Sequence, residues 1–399
     1  MGMLHEIFKT KLALDLTLDR AKAKKDIIQN SIYGVDSERG AVDIARLRFW
    51  LSLVVDEDEP QPLPNLDFKI MQGNSLLESF EGIDLSNTQM DSTVVKIIEP
   101  QYDLFGNIEN SQLNLTFNTK LIEGKLSEKI NEYFSVNSLD SKNQLKNEIN
   151  QIVHEHIEDN LKIRENSLFR QITEAEGATK LSATGTKKLK ALKEQYEKLS
   201  LSTKLLHEIQ DKNERPYFLW HLYFKDVFEQ KDGFDIVIGN PPYIPLQDNS
   251  GYLAKLYENQ NYQTFNRMGD IYWLFYEKGW QLLRPHGILC YVTSNTWMRV
   301  GSGKSLRDFF INQTNPLKLI DFAGFKIFNS ATVNTNILLL QKALYQQQTK
   351  VCSFGKGFGK GLGKNRLEKM SDYIGQFLNS ISFAENSSWV ILSPIEQRI

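Results

Sequence analysis

A chain of 399 residues with 41% hydrophobic and 24% charged residues is long enough for two or three compact units, and its ordinary composition excludes global disorder. A formal net charge of −2 provides no overall attraction for nucleic acid, so any DNA-facing surface has to be local or lie on another part of the protein. The isolated cysteines Cys290 and Cys352 read as packing residues in a reducing, cytoplasmic compartment, and the chain has neither a signal-peptide layout nor an apolar run of membrane-spanning length.

Leu4, Ile7, Phe8 and Leu12 recur at helical spacing and predict a helix from the first residues to about residue 15. Residues 31–36, Ser-Ile-Tyr-Gly-Val-Asp, read as a short buried strand ending in a carboxylate, and residues 41–55 as an amphipathic helix. At such a strand end an acid accepts hydrogen bonds from ribose hydroxyls in nucleotide-binding sheets, or else caps the next helix; both readings of Asp36 stay open. Residues 67–77 give another strand running into Gly73 and Asn74, where an Asn is also an ordinary turn residue. From residue 120 to 211 the pattern becomes helical, with Leu126, Ile130, Phe134, Leu145, Ile149, Ile152, Leu189, Leu192, Tyr196, Leu199, Leu205 and Ile209 spaced between charges of both signs. A break at residues 177–185 makes this an antiparallel helical hairpin, read as a solvated structural arm. His154 and His156, two residues apart, fall on different helix faces, so no metal site is expected there.

The most informative stretch is residues 234–243, Phe-Asp-Ile-Val-Ile-Gly-Asn-Pro-Pro-Tyr. Its β-branched run predicts a parallel strand covered on both faces, and Gly239 frees the backbone to turn. Pro241 and Pro242 have fixed φ and restrict the residue before them, which holds the Asn240 side chain and the Pro241 carbonyl in one geometry beside the ring of Tyr243. Two fixed acceptors suit an amine whose lone pair is delocalised into a ring. Each takes one N–H, the nitrogen moves toward tetrahedral geometry, and its lone pair turns outward to an electrophile. An aromatic face recovers part of the stacking lost by a base drawn out of a duplex, about 1–3 kcal/mol. Beyond it, residues 269–283 read as a helix, 287–294 as a buried strand, and 317–322 and 333–340 as the last two strands. Gly301-Ser-Gly-Lys-Ser305 imitates a phosphate loop, but Met298 stands where the first glycine is required. Residues 355–364 read as a flexible basic loop able to touch phosphates.

Asn240-Pro241-Pro242-Tyr243 resembles the catalytic motif of S-adenosyl-L-methionine-dependent DNA methyltransferases acting on the adenine N6 amine, and the chain resembles the methylase part of type IIG restriction-modification enzymes. The likeness extends through Tyr33-Gly-Val-Asp36, Ala45-Arg-Leu-Arg48, Leu51-Ser-Leu53, Phe218-Leu-Trp-His-Leu-Tyr-Phe224 and Gly269-Asp270-Ile-Tyr-Trp-Leu-Phe275, and it thins in the middle. It implies an α/β, class I methyltransferase-like doubly wound sheet with a long helical insertion and an antiparallel final pair of strands. It also implies roles: Asn240, Pro241, Pro242 and Tyr243 catalytic; Asp36 on the cofactor ribose; Asn74 on its adenine; Asp270 and Phe275 lining its pocket, with Phe275 also readable as plain core. A second aromatic clamping the flipped base would fall near Leu340, where this chain has none; Phe325 and Phe328 stand as substitutes.

By the same resemblance the chain divides into residues 1–118 (cofactor side), 119–214 (helical insertion), 215–345 (catalytic part) and 346–399 (basic loop leading into a target-recognition domain). The family's first strand and glycine-rich loop have no counterpart before Asp36, so a truncated domain with weak cofactor binding is expected, with double-stranded DNA, the N-terminal segment and the recognition domain as partners. Two other readings stay open: methylation of a protein glutamine, whose amide the same motif can hold, and a non-catalytic remnant or split subunit facing DNA.

Overall fold

Helix-period and strand-period stretches alternate along the chain and fold into two units, Met1–Lys225 and Asp226–Ile399. The computed structural model describes residues 2–14, 19–55, 66–80, 83–84, 124–136, 138–177, 183–211, 216–323, 333–354, 366–385 and 387–391.

In the first unit, α1 (Gly2–Leu14) and α2 (Arg20–Ser31) lead to β1 (Gly34–Asp36), α3 (Arg39–Val54) and β2 (Ile70–Gln72). The two strands pair in parallel, from Gly34 opposite Ile70 to Asp36 opposite Gln72. Leu4, Phe8, Ile27, Ile28, Val42, Phe49 and Leu53 bury together beneath them. Arg46 of α3 donates to the Ile70 carbonyl from Nε at 3.0 Å and pairs with Asp67 at 2.7 Å, which ties helix to strand. The strand predicted over residues 31–36 is shorter than expected: Ser31 ends α2, because Ile27 and Ile28 commit the preceding residues to a buried helical face.

After a small antiparallel pair, β3 (Ser79–Phe80) and β4 (Ile83–Asp84), come α4 (residues 124–135), α5 (Leu139–Glu176) and α6 (Ala183–Asp211). Leu145, Ile149, Val153, Ile157 and Leu161 form a buried stripe along α5, while α6 buries Leu192 and Leu199. Tyr196 donates to Glu165 at 3.1 Å and Lys193 pairs with Glu176 at 2.6 Å, so the two helices pack on each other. The first helix ends at Gly177, where the break was expected, but α6 starts early enough to contain Gly185. His154 faces Glu158 at 3.0 Å, whereas His156 is buried beside Asn160. The short helix α7 (Trp220–Tyr223) closes this unit, with the Trp220 backbone N–H donating to Glu78.

The second unit follows α8 (Lys225–Lys231) and is built on a six-stranded mixed sheet of order β10-β9-β7-β8-β6-β5. Its strands are β5 (Phe234–Gly239), β6 (Leu283–Ser294), β7 (Asn315–Asp321), β8 (Thr335–Gln341), β9 (Thr349–Ser353) and β10 (Asn379–Ile381). β5 runs parallel to β6, β8 lies antiparallel between β6 and β7, β9 runs parallel to β7, and β10 closes that edge antiparallel. The antiparallel arrangement of β7 and β8 agrees with the resemblance; β6 begins at Leu283, earlier than its sequence pattern. Between the strands lie α9 (Asp248–Tyr257), α10 (Ile271–Leu282), α11 (Lys304–Gln313) and α12 (Arg366–Phe377).

One face of this sheet buries Leu289, Tyr291, Leu319, Leu338 and Leu340 against Tyr272, Tyr276, Trp297, Phe310 and Trp389. On the other face α12 lays Met370, Tyr373 and Ile374 over Ile320, Cys352 and Phe354. That cover does not reach β5. The strand was expected to be covered on both faces, yet it is the sheet edge among the described residues, with Ile236 55% and Ile238 54% exposed and only Val237 packed toward the core. A β-branched run records what a strand is able to bury, not which neighbour buries it. Among the described residues no helix is long and apolar enough to cross a membrane.

Candidate active site

The chain enters β5 through Gly233, at φ +130°, where a side chain would lie 2.6 Å from the Leu282 carbonyl, and leaves it through Gly239, where a Cβ would sit 3.0 Å from the Tyr291 ring. Gly239 lies opposite Tyr291 in the parallel register, so the turn that follows projects beside Val292 of the next strand. Pro241 is buried, Asn240 and Pro242 are exposed, and Tyr243 is half-buried. The Tyr243 hydroxyl lies 2.7 Å from Asn240 Oδ1 and 3.0 Å from the Val292 carbonyl oxygen, with both oxygens placed to accept. Its ring stands edge-on to Tyr272, with centroids 6.0 Å apart. Burial pushes the Tyr243 hydroxyl up to about 12, so it remains a proton donor throughout the neutral range.

The segment after Tyr243 is pinned to the start of α10. Ile271 N–H donates to the Ile244 carbonyl at 2.9 Å, Leu246 N–H donates to Gly269 at 2.8 Å, and Pro245 bridges Asp270. This brings Asp270, half-buried at the N-terminus of α10 and making no capping bond, beside the Asn-Pro-Pro-Tyr turn. Burial pushes its carboxyl above the ordinary carboxylate range; a bond from Tyr272 pulls it back in part, and the charge of Asp248 adds to the rise. Phe275, two helix positions past Trp273, packs against the main core. The Val292 carbonyl and Tyr272 were not foreseen: a backbone oxygen on a neighbouring strand carries no side-chain signal, and Tyr272 reads as one more apolar position of its helix.

Asp36 and Asn74 belong to the first unit. Asp36 ends β1 exposed, with Oδ1 accepting the Glu38 N–H at 2.8 Å. Among the described residues only one of its carboxylate oxygens is thus engaged. Gly73 N–H donates to the Asp36 carbonyl at 2.9 Å, which sets the two strand ends side by side. Asn74 Oδ1 accepts the Leu76 N–H at 3.0 Å, the local turn geometry that its sequence context also allows.

Near Leu340 the outcome differs from expectation. Because β8 is antiparallel, Thr335 and Asn336 lie level with Ser294 and Thr293, whereas Leu340 pairs with Leu289 and is fully buried toward the opposite end of the sheet from Asn240. Leu340 lies level with Val237 rather than with the Asn240 turn. Phe325, Phe328 and the basic loop at residues 355–364 lie outside the described residues. The phosphate-loop imitation has a packing explanation: a Cβ on Gly303 would lie 2.3 Å from the Trp297 carbonyl, and Lys304 pairs with Asp308 at 2.7 Å. Trp389 stacks on Phe383 at 4.0 Å and Ile391 joins the same core.

The mixed α/β sheet carries a parallel strand that ends on a braced Asn-Pro-Pro-Tyr turn, and the family match makes the chain a restriction-modification methylase. The chain belongs to the Eco57I restriction-modification methylase family, which matches residues 30–328. Type II restriction enzyme and methyltransferase RM.Eco57I of Escherichia coli is 32% identical over 164 residues, covering 41% of this chain and 16% of that protein. A putative type II restriction enzyme and methyltransferase, RM.MjaORFECS2P of Methanocaldococcus jannaschii, is 25% identical over 354 residues, covering 82% of this chain and 27% of that protein. The chain thus spans about a quarter or less of the length of these curated relatives. Among solved structures, the type IIG restriction endonuclease BpuSI is similar with a TM-score of 0.25 at 16% identity, over 30% of this chain and 15% of that one. The Type ISP enzyme LlaGI, in complex with a DNA substrate mimic, gives 0.33 at 19% identity, over 43% and 16%.

Proposed function

We propose that this chain is the methylase part of a restriction-modification enzyme and transfers a methyl group from S-adenosyl-L-methionine to the N6 amine of adenine in double-stranded DNA. The observation that carries the reading is the Asn240 amide oxygen, exposed at the tip of β5 and braced by the Tyr243 hydroxyl. Asn240 Oδ1 and the Pro241 carbonyl each accept one amine N–H, and the fixed φ of the two prolines holds the backbone that carries both acceptors before the base arrives. The Tyr243 ring serves as the stacking surface for a base turned out of the duplex.

The chain's donor set fits the cofactor at one end. Asp36 presents an uncommitted carboxylate oxygen at the end of a parallel strand, as a ribose diol requires. S-adenosyl-L-methionine supplies an electrophilic methyl group when bound. Asp36 holds the ribose, Asn74 lies at the neighbouring strand end toward the adenine, and Asp270 lies beside the catalytic turn. Phe275 serves as a packing residue behind it. We read the strand–helix units around β1, β2, β5 and β6 as a class I methyltransferase-like doubly wound fold, with residues 119–214 as its helical insertion.

The test supplies the product of the full reading frame with labelled cofactor, duplex DNA and a peptide bearing an exposed glutamine. Label enters adenine. Label in the peptide with none in DNA overturns the reading and turns α5 and α6 into a protein-docking arm.

A further inference from the structure

The Tyr243 side chain does more than present a ring. Its hydroxyl carries a single proton and faces two carbonyl oxygens, Asn240 Oδ1 at 2.7 Å and Val292 O at 3.0 Å. Val292 is fixed by the sheet, opposite Ile337 in the antiparallel ladder of β6 and β8. Asn240, by contrast, is exposed, and its amide sits on a broad, nearly two-fold torsion that leaves oxygen and nitrogen free to exchange places. A solvent-facing amide without a brace spends part of its time offering N–H groups to an incoming amine, which repel it.

We propose that the Tyr243 hydroxyl is a positioning group that fixes the orientation of the Asn240 amide, sharing its one proton in a three-centre bond between Asn240 Oδ1 and the Val292 carbonyl. This inference rests on the methyl-transfer reading for its consequence, but not for its geometry. Oδ1 has two lone pairs, so accepting from the hydroxyl leaves one for an amine N–H. The Val292 carbonyl is fixed by the strand ladder and the Asn240 backbone by the prolines that follow it, so once the hydroxyl holds the amide the amine meets an oxygen already oriented. The ring and the hydroxyl thus act on different events: the face receives the extruded base, and the hydroxyl sets the acceptor that works when the nitrogen attacks. A role limited to stacking would make Tyr243 and phenylalanine equivalent; a positioning hydroxyl separates them.

The experiment compares wild type, Tyr243→Phe, Asn240→Ala and the double variant, each as the product of the full reading frame. Tyr243→Phe is expected to lower kcat about five- to tenfold, the size of one net hydrogen bond, with KM for DNA unchanged. Fluorescence of 2-aminopurine at the target position, which reports base extrusion, stays at the wild-type level. In the Asn240→Ala background the same change lowers kcat no further, because the group it orients is gone. A kcat within twofold of wild type, or a full additive loss in the double variant, overturns the proposal. An activity-free arm reads the side-chain amide resonances of Asn240, assigned by their loss in Asn240→Ala. They shift in Tyr243→Phe if the hydroxyl holds the amide, and unchanged resonances refute it. Should wild type methylate no DNA, the functional reading fails while the resonance comparison still decides the positioning role.

Discussion

Asn240→Ala separates catalysis from stability because of where the residue sits. Its side chain is exposed, and among the described residues it bonds the Tyr243 hydroxyl alone, which keeps the Val292 carbonyl as a second acceptor when Asn240 is truncated. No buried group is left without a partner and no cavity opens, so the cost to stability is expected within about 0.5 kcal/mol. A change of that size moves the melting midpoint by only about 1–2 °C. The kinetic cost is far larger. On the proposed mechanism one of two preorganised acceptors is lost from the transition state, and removal of a single such group typically lowers kcat about 10²–10³-fold, or about 2.7–4 kcal/mol. Affinity for DNA generally rests on phosphate contacts, and Asn240 is uncharged, so DNA affinity is expected to stay within about twofold of wild type. Single-turnover transfer of labelled methyl, fluorescence anisotropy with a duplex and thermal melting read the three quantities on one preparation. A parallel loss of DNA affinity, or a fall in kcat smaller than tenfold, refutes the acceptor role.

Replacing Asp36 by Ala removes the uncommitted carboxylate oxygen at the end of β1 and is expected to weaken cofactor binding about 10- to 100-fold, the range of hydrogen bonds to a charged group; calorimetric titration showing an unchanged Kd removes Asp36 from the ribose site. Burial lowers the His156 imidazole from 6.5 to about 4, so the unfolded chain takes up a proton that the folded chain refuses. The stability this contributes is fully present above pH 6.5 and is lost as the pH falls toward 4, by a few kcal/mol; a melting temperature that does not fall between pH 7 and 5, or that falls equally in His156→Leu, contradicts it. Alkaline titration runs the other way: the Tyr243 hydroxyl, raised to about 12, should keep its ultraviolet absorbance in the protonated form past pH 10, with the associated stability lost as the pH rises from 10 through 12. The exposed pair Ile236 and Ile238 on an edge strand predicts concentration-dependent association, and changing both to Lys should suppress it in sedimentation velocity runs with little change in melting temperature.

Local covalent constraint was legible without coordinates. The tip of β5 follows from a β-branched run, a glycine and two fixed-φ prolines, and the strand–helix–strand unit from Gly34 to Gln72 follows from short-range spacing. The same holds for the end of α5 at Gly177 and for the failure of the phosphate-loop imitation at Met298, whereas the close packing of Gly303 against Trp297 came only from the structure. Strand partners belong to another class of information. Nothing in the spacing of residues 333–340 says that they run antiparallel between two parallel neighbours, yet that reversal places Thr335, not Leu340, level with Ser294. β9, α12 and β10 went unread because Thr349–Ser353 is short and their pairing spans long sequence separations. The fate of Ile236 and Ile238 was also a tertiary decision: their hydrophobicity is intrinsic, while burial depends on what lies across the sheet. The brace on Asn240 joins a motif side chain to a backbone carbonyl 49 residues further on, and only pairing of β5 with β6 brings them together. Residue type and local torsion set what each group is able to do; long-range strand pairing sets which groups meet.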